Sequence, residues 1–264
     1  MRIIDTHCHL NDEMLLKDLD NVISRAQKVG VEKMIVIGWD KNSSELAIKL
    51  AEQFDFIYAV IGFHPENVFD IDDEKLYETL NLCKHPKVVG IGEIGLDYHW
   101  TKEPEKREIQ KKYFIKQIEF ANQYKLPISI HSREAFMDTL AILKEHKPLF
   151  GGVMHCYSGS VKNIEDIINL NLYIGLDGPV TYLNAKTPKE VAENVPLEKL
   201  VVETDSPYLP PHPLRGTVNE PANISLIIDA IADIRKMSKK HLLDVLYDNS
   251  CKLFNLWRFI WEVY

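Results

Sequence analysis

Short apolar runs alternate with longer amphipathic segments along the 264-residue chain, and this alternation limits the possible folds more than any other feature. Short apolar runs bounded by turn residues predict buried strands, whereas longer segments with a three-and-four apolar spacing predict helices. The predicted strands cover residues 2–6, 33–38, 56–62, 88–92, 127–131, 152–155, 172–176 and 199–203. The predicted helices between them cover residues 14–29, 43–53, 73–83, 106–124, 134–146, 161–169 and 188–194.

Two further helices are predicted near the end of the chain. Isoleucines spaced by three and four residues form one apolar helix face, and they are Ile224, Ile227, Ile228, Ile231 and Ile234. Ser238 is a typical N-cap residue and is expected to begin another helix that runs to about Phe254. The aromatic segment 253–264 is too short to cross a membrane and is expected to pack against the rest of the domain or a partner.

Strands that alternate with helices predict an α/β protein with a parallel sheet. Eight such strands favour closure into a (β/α)₈ TIM barrel over an open doubly wound sheet. An open dinucleotide-binding sheet would normally carry Gly-x-Gly-x-x-Gly after its first strand, and the sequence has no such motif there. Because single barrels commonly contain about 250 residues, residues 1–264 are predicted to form one domain.

Composition excludes several classes of protein. The net charge of −8 disfavours a surface that coats duplex nucleic acid, so any anionic substrate must be attracted by local positive charge. The four cysteines are far apart in sequence and form no Cys-x-x-Cys pair, which is typical of a reducing, cytoplasmic compartment. The sequence shows no secretory leader or long apolar stretch, so we expect neither export nor membrane insertion. We also expect no obligate protein partner.

Six side chains that bind divalent metals lie at or just after the ends of predicted strands. They are His7, His9, Glu93, His131, His155 and Asp205. Each of them alone is more often an ordinary hydrogen-bonded or capping residue than a ligand. The carboxyl ends of barrel strands, however, meet at one face, where active sites are built. Together the six residues predict a metal centre.

The first strand supplies two of these ligands. His7 and His9 are two positions apart, so strand alternation places them on one face and turns Cys8 to the other. One ion is expected at His7, His9 and Glu93, with Asp205 beside it. The remaining histidines do not end strands and are predicted to be solvent-facing or structural; they include His85, His99, His146, His212 and His241.

Four histidines and two carboxylates exceed the needs of one tetrahedral ion, so two divalent metal ions are predicted, about 3.5–4 Å apart. Glu93 is expected to bridge them, and the second ion is expected at Glu93, His131 and His155. Cys156 follows His155 but points away from it by strand alternation, so a packing role is expected. Zinc suits the histidines, and magnesium or manganese also suits mixed carboxylate sites.

Such a centre favours hydrolysis. Metal coordination lowers the pKa of water from 15.7 to about 7. Asp205 is expected to orient that water, accept its proton and pass it to the leaving group, so Asp205 and Glu93 are the predicted catalytic residues. The scissile group can be a phosphoryl or a carbonyl group, because an activated water attacks both.

Seven short motifs follow one another along the chain: DTHCHL at 5–10, GFHPE at 62–66, GEIGLDY at 92–98, HSR at 131–133, HCYSG at 155–159, ETDSPYL at 203–209 and RGTVNEP at 215–221. Together, and in this order, they resemble the motifs of the TatD-type metal-dependent deoxyribonucleases. The resemblance implies a (β/α)₈ hydrolase that uses divalent metals and acts on single-stranded DNA or DNA ends. It also implies ligand roles for the six residues already identified.

The resemblance further implies a set of substrate-binding residues, and these are His64, Arg133, Tyr157, Ser158, Arg215 and Asn219. For the two arginines, an ion pair with a neighbouring acid is the alternative. The sequence departs from the family pattern at Glu66, Thr217 and Val218, where histidine or basic residues are usual.

These departures keep other functions open. A metal-dependent amidase, esterase or aminoacyl deacylase would use the same site, and the acidic composition favours a substrate smaller than DNA. A non-catalytic metal-binding protein on an inherited barrel is a third possibility, since a fold does not determine a function.

Overall fold

The structure is a computed structural model and describes residues 2–259, with side chains described up to residue 257. Eight strands form one sheet in the order β1 to β8. Their bounds are Ile3–Cys8 (β1), Val31–Ile37 (β2), Ile57–Ile61 (β3), Val88–Asp97 (β4), Ile128–Arg133 (β5), Gly152–Met154 (β6), Leu172–Leu176 (β7) and Leu200–Val202 (β8). The neighbouring strands for which a register is defined are parallel.

Helices alternate with these strands along residues 2–259. The α-helices are Glu13–Leu16 (α1), Leu19–Lys28 (α2), Lys41–Gln53 (α3), Asp73–Leu80 (α4), Pro104–Tyr124 (α5), Phe136–Glu145 (α6), Ile164–Asn169 (α7), Thr187–Asn194 (α8), Ile224–Arg235 (α9) and Lys239–Leu253 (α10). Short 3₁₀ turns lie at Pro65–Asn67, Asn81–Lys84, Val161–Asn163, Gly178–Thr181, Leu197–Lys199, Pro221–Asn223 and Leu256–Phe259. Within this range, no helix combines the length and apolarity needed to span a bilayer.

The chain divides into two compact units. The first contains residues up to 36, residues 156–164 and residues from 174 onward; the second contains residues 37–155 and 165–173. Within the first unit, β8 lies beside β1, because Thr6 Oγ1 donates to Val202 O at 2.9 Å and Asp205 N donates to His7 O at 2.9 Å. The last strand therefore pairs back onto the first, as a closed barrel requires.

The predicted α/β class and (β/α)₈ barrel are confirmed. Several boundaries differ. The segment predicted as one helix at 14–29 is two helices, and Asp18 between them leaves the helical conformation with a φ of −137° and a ψ of 31°. The single domain over 1–264 stays a prediction.

The two late helices match their sequence signals. Ile224, Ile227, Ile228 and Ile231 are fully buried on one face of α9. Ser238 caps α10, and its hydroxyl accepts a hydrogen bond from His241 N at 3.3 Å. In the aromatic C-terminal segment, residues 253, 254 and 256 are buried, whereas the part from residue 260 onward lies outside the described residues.

Candidate metal centre

β1 of the first unit carries two histidines at its carboxyl end. His7 is fully buried and His9 is almost so. Their Nε2 atoms lie 3.3 Å apart, and the two rings meet edge to face. The expectation from strand alternation, that the two side chains share a face, is confirmed by this contact.

Asp205 completes a group with these histidines. Its Oδ1 lies 3.3 Å from His9 Nε2 and 3.6 Å from His7 Nε2. Asp205 follows β8 with a φ of 53°, a left-handed conformation that is uncommon for a residue other than glycine and that aspartate tolerates better than most. One ligand atom from each of the three residues lies within 4.8 Å of the others. Two imidazoles and a carboxylate in this arrangement fit a divalent metal ion.

The buried carboxylate of Asp5 holds the backbone around the group formed by His7, His9 and Asp205. Asp5 is fully buried, and it accepts hydrogen bonds from Thr204 N at 3.0 Å and His7 N at 3.4 Å. Its other oxygen lies 2.6 Å from Thr204 Oγ1. Burial raises the pKa of Asp5 to about 7, because charge is disfavoured in a low-dielectric interior. Asp5 thus links Thr204, the residue before Asp205, to the backbone of His7.

In the second unit, Glu93 faces several imidazoles. Its Oε1 lies 2.8 Å from His131 Nδ1, 3.8 Å from His155 Nε2 and 3.9 Å from His64 Nε2. Glu93 is only 5% exposed. A buried carboxylate surrounded by histidines is the arrangement that a metal-bridging ligand needs.

The position of Glu93 corrects one prediction. Glu93 does not end β4, because the strand continues to Asp97. Gly95 makes this extension possible: it lies opposite His131 in the register, with a φ of 147°. A Cβ there would come within 1.9 Å of His131 O, so only glycine allows β4 and β5 to approach so closely.

The longer strand carries a candidate functional residue, Asp97, that the sequence pattern did not indicate. Asp97 Oδ2 lies 2.9 Å from His131 Nε2, so both ring nitrogens of His131 face carboxylates. His64, Asp97 and His131 also form a group with ligand atoms within 4.8 Å of one another. Strand alternation from Glu93 through Gly95 to Asp97 is the signal that would have found it.

The residues predicted to bind substrate have different environments. Arg133 and Arg215 are exposed, and each guanidinium lies over an aromatic ring, Trp100 at 5.7 Å and Tyr182 at 4.6 Å. Both the substrate role of the two arginines and the alternative of an ion pair with a neighbouring acid stay predictions. Ser158 is also exposed.

Tyr157 and Asn219 are buried and hold loops in place. Tyr157 OH donates to Ser160 O at 3.0 Å. The Asn219 amide donates to Thr204 O at 2.8 Å and Tyr208 O at 2.7 Å, which ties the proline-rich segment to the residue before Asp205. Their substrate roles stay predictions.

Of the two thiols beside the ligands, Cys8 is buried and Cys156 is half-buried. Burial raises the pKa of both Cys8 and Cys156 well above the usual thiol value, which disfavours the thiolate that binds metal. Cys8 Sγ donates to Ile35 O at 3.5 Å. None of the four cysteines is in a disulfide.

Comparison with known proteins identifies the family. The family model described as TatD related DNase matches residues 4–255. The chain is 42% identical over 255 residues to YabD of Bacillus subtilis, an uncharacterized metal-dependent hydrolase, and the match covers 96% of this chain and 99% of YabD. The chain belongs to the TatD-related DNase family. As a TatD-related protein, it is a metal-dependent hydrolase.

Solved structures of TatD-related proteins have the same fold. The crystal structure of YjjV, a TatD homologue from Escherichia coli, has a TM-score of 0.90 and 32% identity, and the match covers 96% of this chain and 98% of that one. A TatD family hydrolase from Entamoeba histolytica has a TM-score of 0.85 and 25% identity, again over 96% of this chain and 98% of that one. The resemblance inferred from the seven motifs is therefore confirmed.

We expect metal binding to release a proton from His131 near neutral pH. Burial lowers the pKa of His131, but hydrogen bonds to Asp97 and Glu93 outweigh burial and raise the pKa to about 9. In the metal-free protein the ring is therefore protonated at pH 7, and a metal must displace that proton. Affinity is expected to rise with pH until about 9.

Calorimetric titration with Zn²⁺ in buffers of different ionisation enthalpy measures this release. The wild-type protein should release about one proton more per chain at pH 7 than His131→Ala, and the difference should shrink towards pH 9. Equal release by the two proteins at pH 7 would contradict the assignment.

Proposed function

We propose that the protein is a two-metal phosphodiesterase that hydrolyses DNA, single-stranded or at its ends. The main observation in support of this proposal is that several imidazoles surround Glu93, a buried carboxylate whose Oε1 lies 2.8 Å from His131 Nδ1. The group of His7, His9 and Asp205 in the first unit supports the same proposal. Since the carboxyl ends of barrel strands meet at one face, we assign both groups to one binuclear centre.

In this proposal His7, His9 and Glu93 would hold one ion, with Asp205 beside it. Glu93, His131 and His155 would hold the other. When bound, the ions supply Lewis acidity and make water acidic enough to act as a nucleophile near neutral pH. Asp205 would orient the attacking water and accept its proton. The imidazoles keep the carboxylates in place and exclude bulk water.

Two exposed cations are suited to hold the phosphate backbone. Arg133 lies two residues after His131, at the end of β5. Arg215 lies in the loop that Asn219 anchors. Guanidinium groups bind phosphate through paired hydrogen bonds, which positions a strand without reading its sequence. Local charge of this kind is compatible with a net charge of −8.

Hydrolysis of an amide, ester or aminoacyl bond is the second candidate. Glu66, Thr217 and Val218 are all exposed, so the positions where basic residues are usual present an acid and two uncharged side chains to solvent. This surface attracts a polyanion such as DNA less strongly than one with basic residues at the same positions. It therefore favours a smaller substrate.

A parallel substrate panel tests both candidates. We expect the zinc-, manganese- or magnesium-loaded protein to release nucleotides from single-stranded DNA and to cleave bis-p-nitrophenyl phosphate. Chelation should abolish turnover and added metal should restore it. Esters and N-acyl-aminoacyl compounds are assayed beside them at the same enzyme concentration. Rapid deacylation with little phosphodiester cleavage would replace the first proposal by the second.

A further inference from the structure

Asp97 touches a predicted metal ligand without belonging to the predicted ligand set. We propose that Asp97 is a positioning residue that fixes the ring orientation and tautomer of His131, so that Nδ1 is presented to a metal beside Glu93. This inference rests on the proposed metal centre.

The contacts of His131 determine which nitrogen is available. His131 Nε2 lies 2.9 Å from Asp97 Oδ2, and Nδ1 lies 2.8 Å from Glu93 Oε1. A neutral imidazole has one N–H and one lone pair, and an ionised carboxylate only accepts hydrogen bonds. If Nε2 carries the proton and donates to Asp97, the lone pair of Nδ1 points to the side of Glu93. Glu93 also faces His155, so this is the side where ligands gather.

Asp97 is held too firmly to act as an adaptable ligand. It is 1% exposed, and its second oxygen, Oδ1, accepts hydrogen bonds from His99 N at 2.9 Å and Trp100 N at 3.0 Å. Its backbone N donates to Gln110 Oε1 at 3.0 Å. One oxygen is thus occupied by the chain itself, and the other is aimed at His131. Carboxylates that hold metal-binding histidines in this way tune both ring orientation and ligand basicity.

A third metal ion is the competing explanation, because His64, Asp97 and His131 have ligand atoms within 4.8 Å of one another. That ion would need the Nε2 lone pair, and His131 would then bind metals through both nitrogens. Only one Asp97 oxygen would be available to it, since Oδ1 already accepts two backbone hydrogen bonds. A hydrogen bond from Nε2 satisfies the same atoms with a neutral ring, and we therefore favour it.

The variant Asp97→Asn gives a sharp test, because the structure predicts how the amide is oriented. The two N–H groups of His99 and Trp100 require an acceptor, so the amide oxygen should occupy the Oδ1 position. The NH₂ group then faces His131 Nε2 and donates to it. His131 should switch to the tautomer protonated on Nδ1, which blocks the nitrogen that binds metal.

The tautomer is read from the ¹⁵N shifts of the histidine ring, and Zn²⁺ affinity and stoichiometry are read by competition with a chelator. We expect Nε2–H in the zinc-loaded wild-type protein, and Nδ1–H in metal-free Asp97→Asn. The affinity of one ion should fall about 10–100-fold, with two ions still bound at saturating Zn²⁺. Asp138→Asn is the matched control, because Asp138 is half-exposed and accepts a hydrogen bond from the OH of Tyr98, the residue that follows Asp97.

Several outcomes would overturn the inference. These are an unchanged tautomer and affinity in Asp97→Asn, the loss of one whole ion from the stoichiometry, or zinc on Nε2 of His131 in the wild-type protein. If the variant fails to fold, the ¹⁵N shifts of His131 in the zinc-loaded wild-type protein still show which ring nitrogen binds zinc. Because none of these readouts uses a substrate, failure to cleave DNA would count against the proposed function alone.

Discussion

Replacing Asp205 by asparagine is expected to lower kcat on the proposed DNA substrate by about 10²–10⁴-fold, the usual contribution of a general base. Asparagine keeps the shape of the side chain and an oxygen near His9, where Asp205 Oδ1 lies at 3.3 Å. It carries no charge and accepts no proton from water. We therefore expect KM to change little and the bound metal, measured by elemental analysis, to stay near the wild-type amount.

Asp229→Asn is the control for this variant, because Asp229 is a half-exposed carboxylate on α9 that pairs with Lys239. It should retain full activity. If Asp205→Asn lost metal in proportion to activity, Asp205 would be chiefly a ligand. If it kept wild-type kcat, the proposed base would be wrong.

Replacing Glu93 by glutamine is expected to have the second large effect, on metal content as well as rate. Glu93 supplies the buried negative charge that faces His131 at 2.8 Å and His155 at 3.8 Å. A neutral amide there leaves the ions less well neutralised, so the zinc content should fall from two ions towards one. We expect kcat to fall on the order of 10³-fold, equivalent to about 4 kcal/mol of transition-state stabilisation.

Zinc content by elemental analysis and single-turnover rates on single-stranded DNA check this result. Glu108→Gln makes the same chemical change at an exposed residue of α5 that pairs with Lys111, and it should behave as the wild-type protein. Retention of two ions and a normal rate by Glu93→Gln would rule out a bridging role for Glu93.

Much of the first group of ligands could be predicted from local sequence. His7 and His9 share a face because side chains alternate along a strand, and the structure places their Nε2 atoms 3.3 Å apart. Asp205 is nearly 200 positions away, and only the barrel hypothesis connected it with β1. The contact between Asp205 N and His7 O, at 2.9 Å, is a consequence of that closure.

The extent of β4 could not be predicted in the same way. The apolar run at 88–92 indicates a strand, but the charged Glu93 and then Gly95 interrupt the apolar pattern that would extend it. The strand continues because Ile94 and Leu96 are buried and Gly95 allows β5 to lie against it. Asp97 was missed for this reason, although it bonds to His131.

The contacts within the loop after β8 could not be predicted from the sequence either. Its prolines predict irregular structure, and the family pattern suggests that Asn219 contacts substrate. That substrate contact stays a prediction, and the structure adds that Asn219 is fully buried, with its amide donating to Thr204 O and Tyr208 O. Which donors and acceptors meet in a loop depends on the folded path of the chain, and a single sequence does not specify that path.

The α/β class, the eight strands and the ligand types follow from the amino-acid sequence, because apolar periodicity and side-chain chemistry are local properties of the chain. The folded structure was needed to show which atoms face one another. Glu93 lies among histidines, Asp97 contacts Nε2 of His131, and Asp5 contacts the hydroxyl of Thr204. Those distances depend on strand register and backbone approach, which arise from packing between segments remote in sequence.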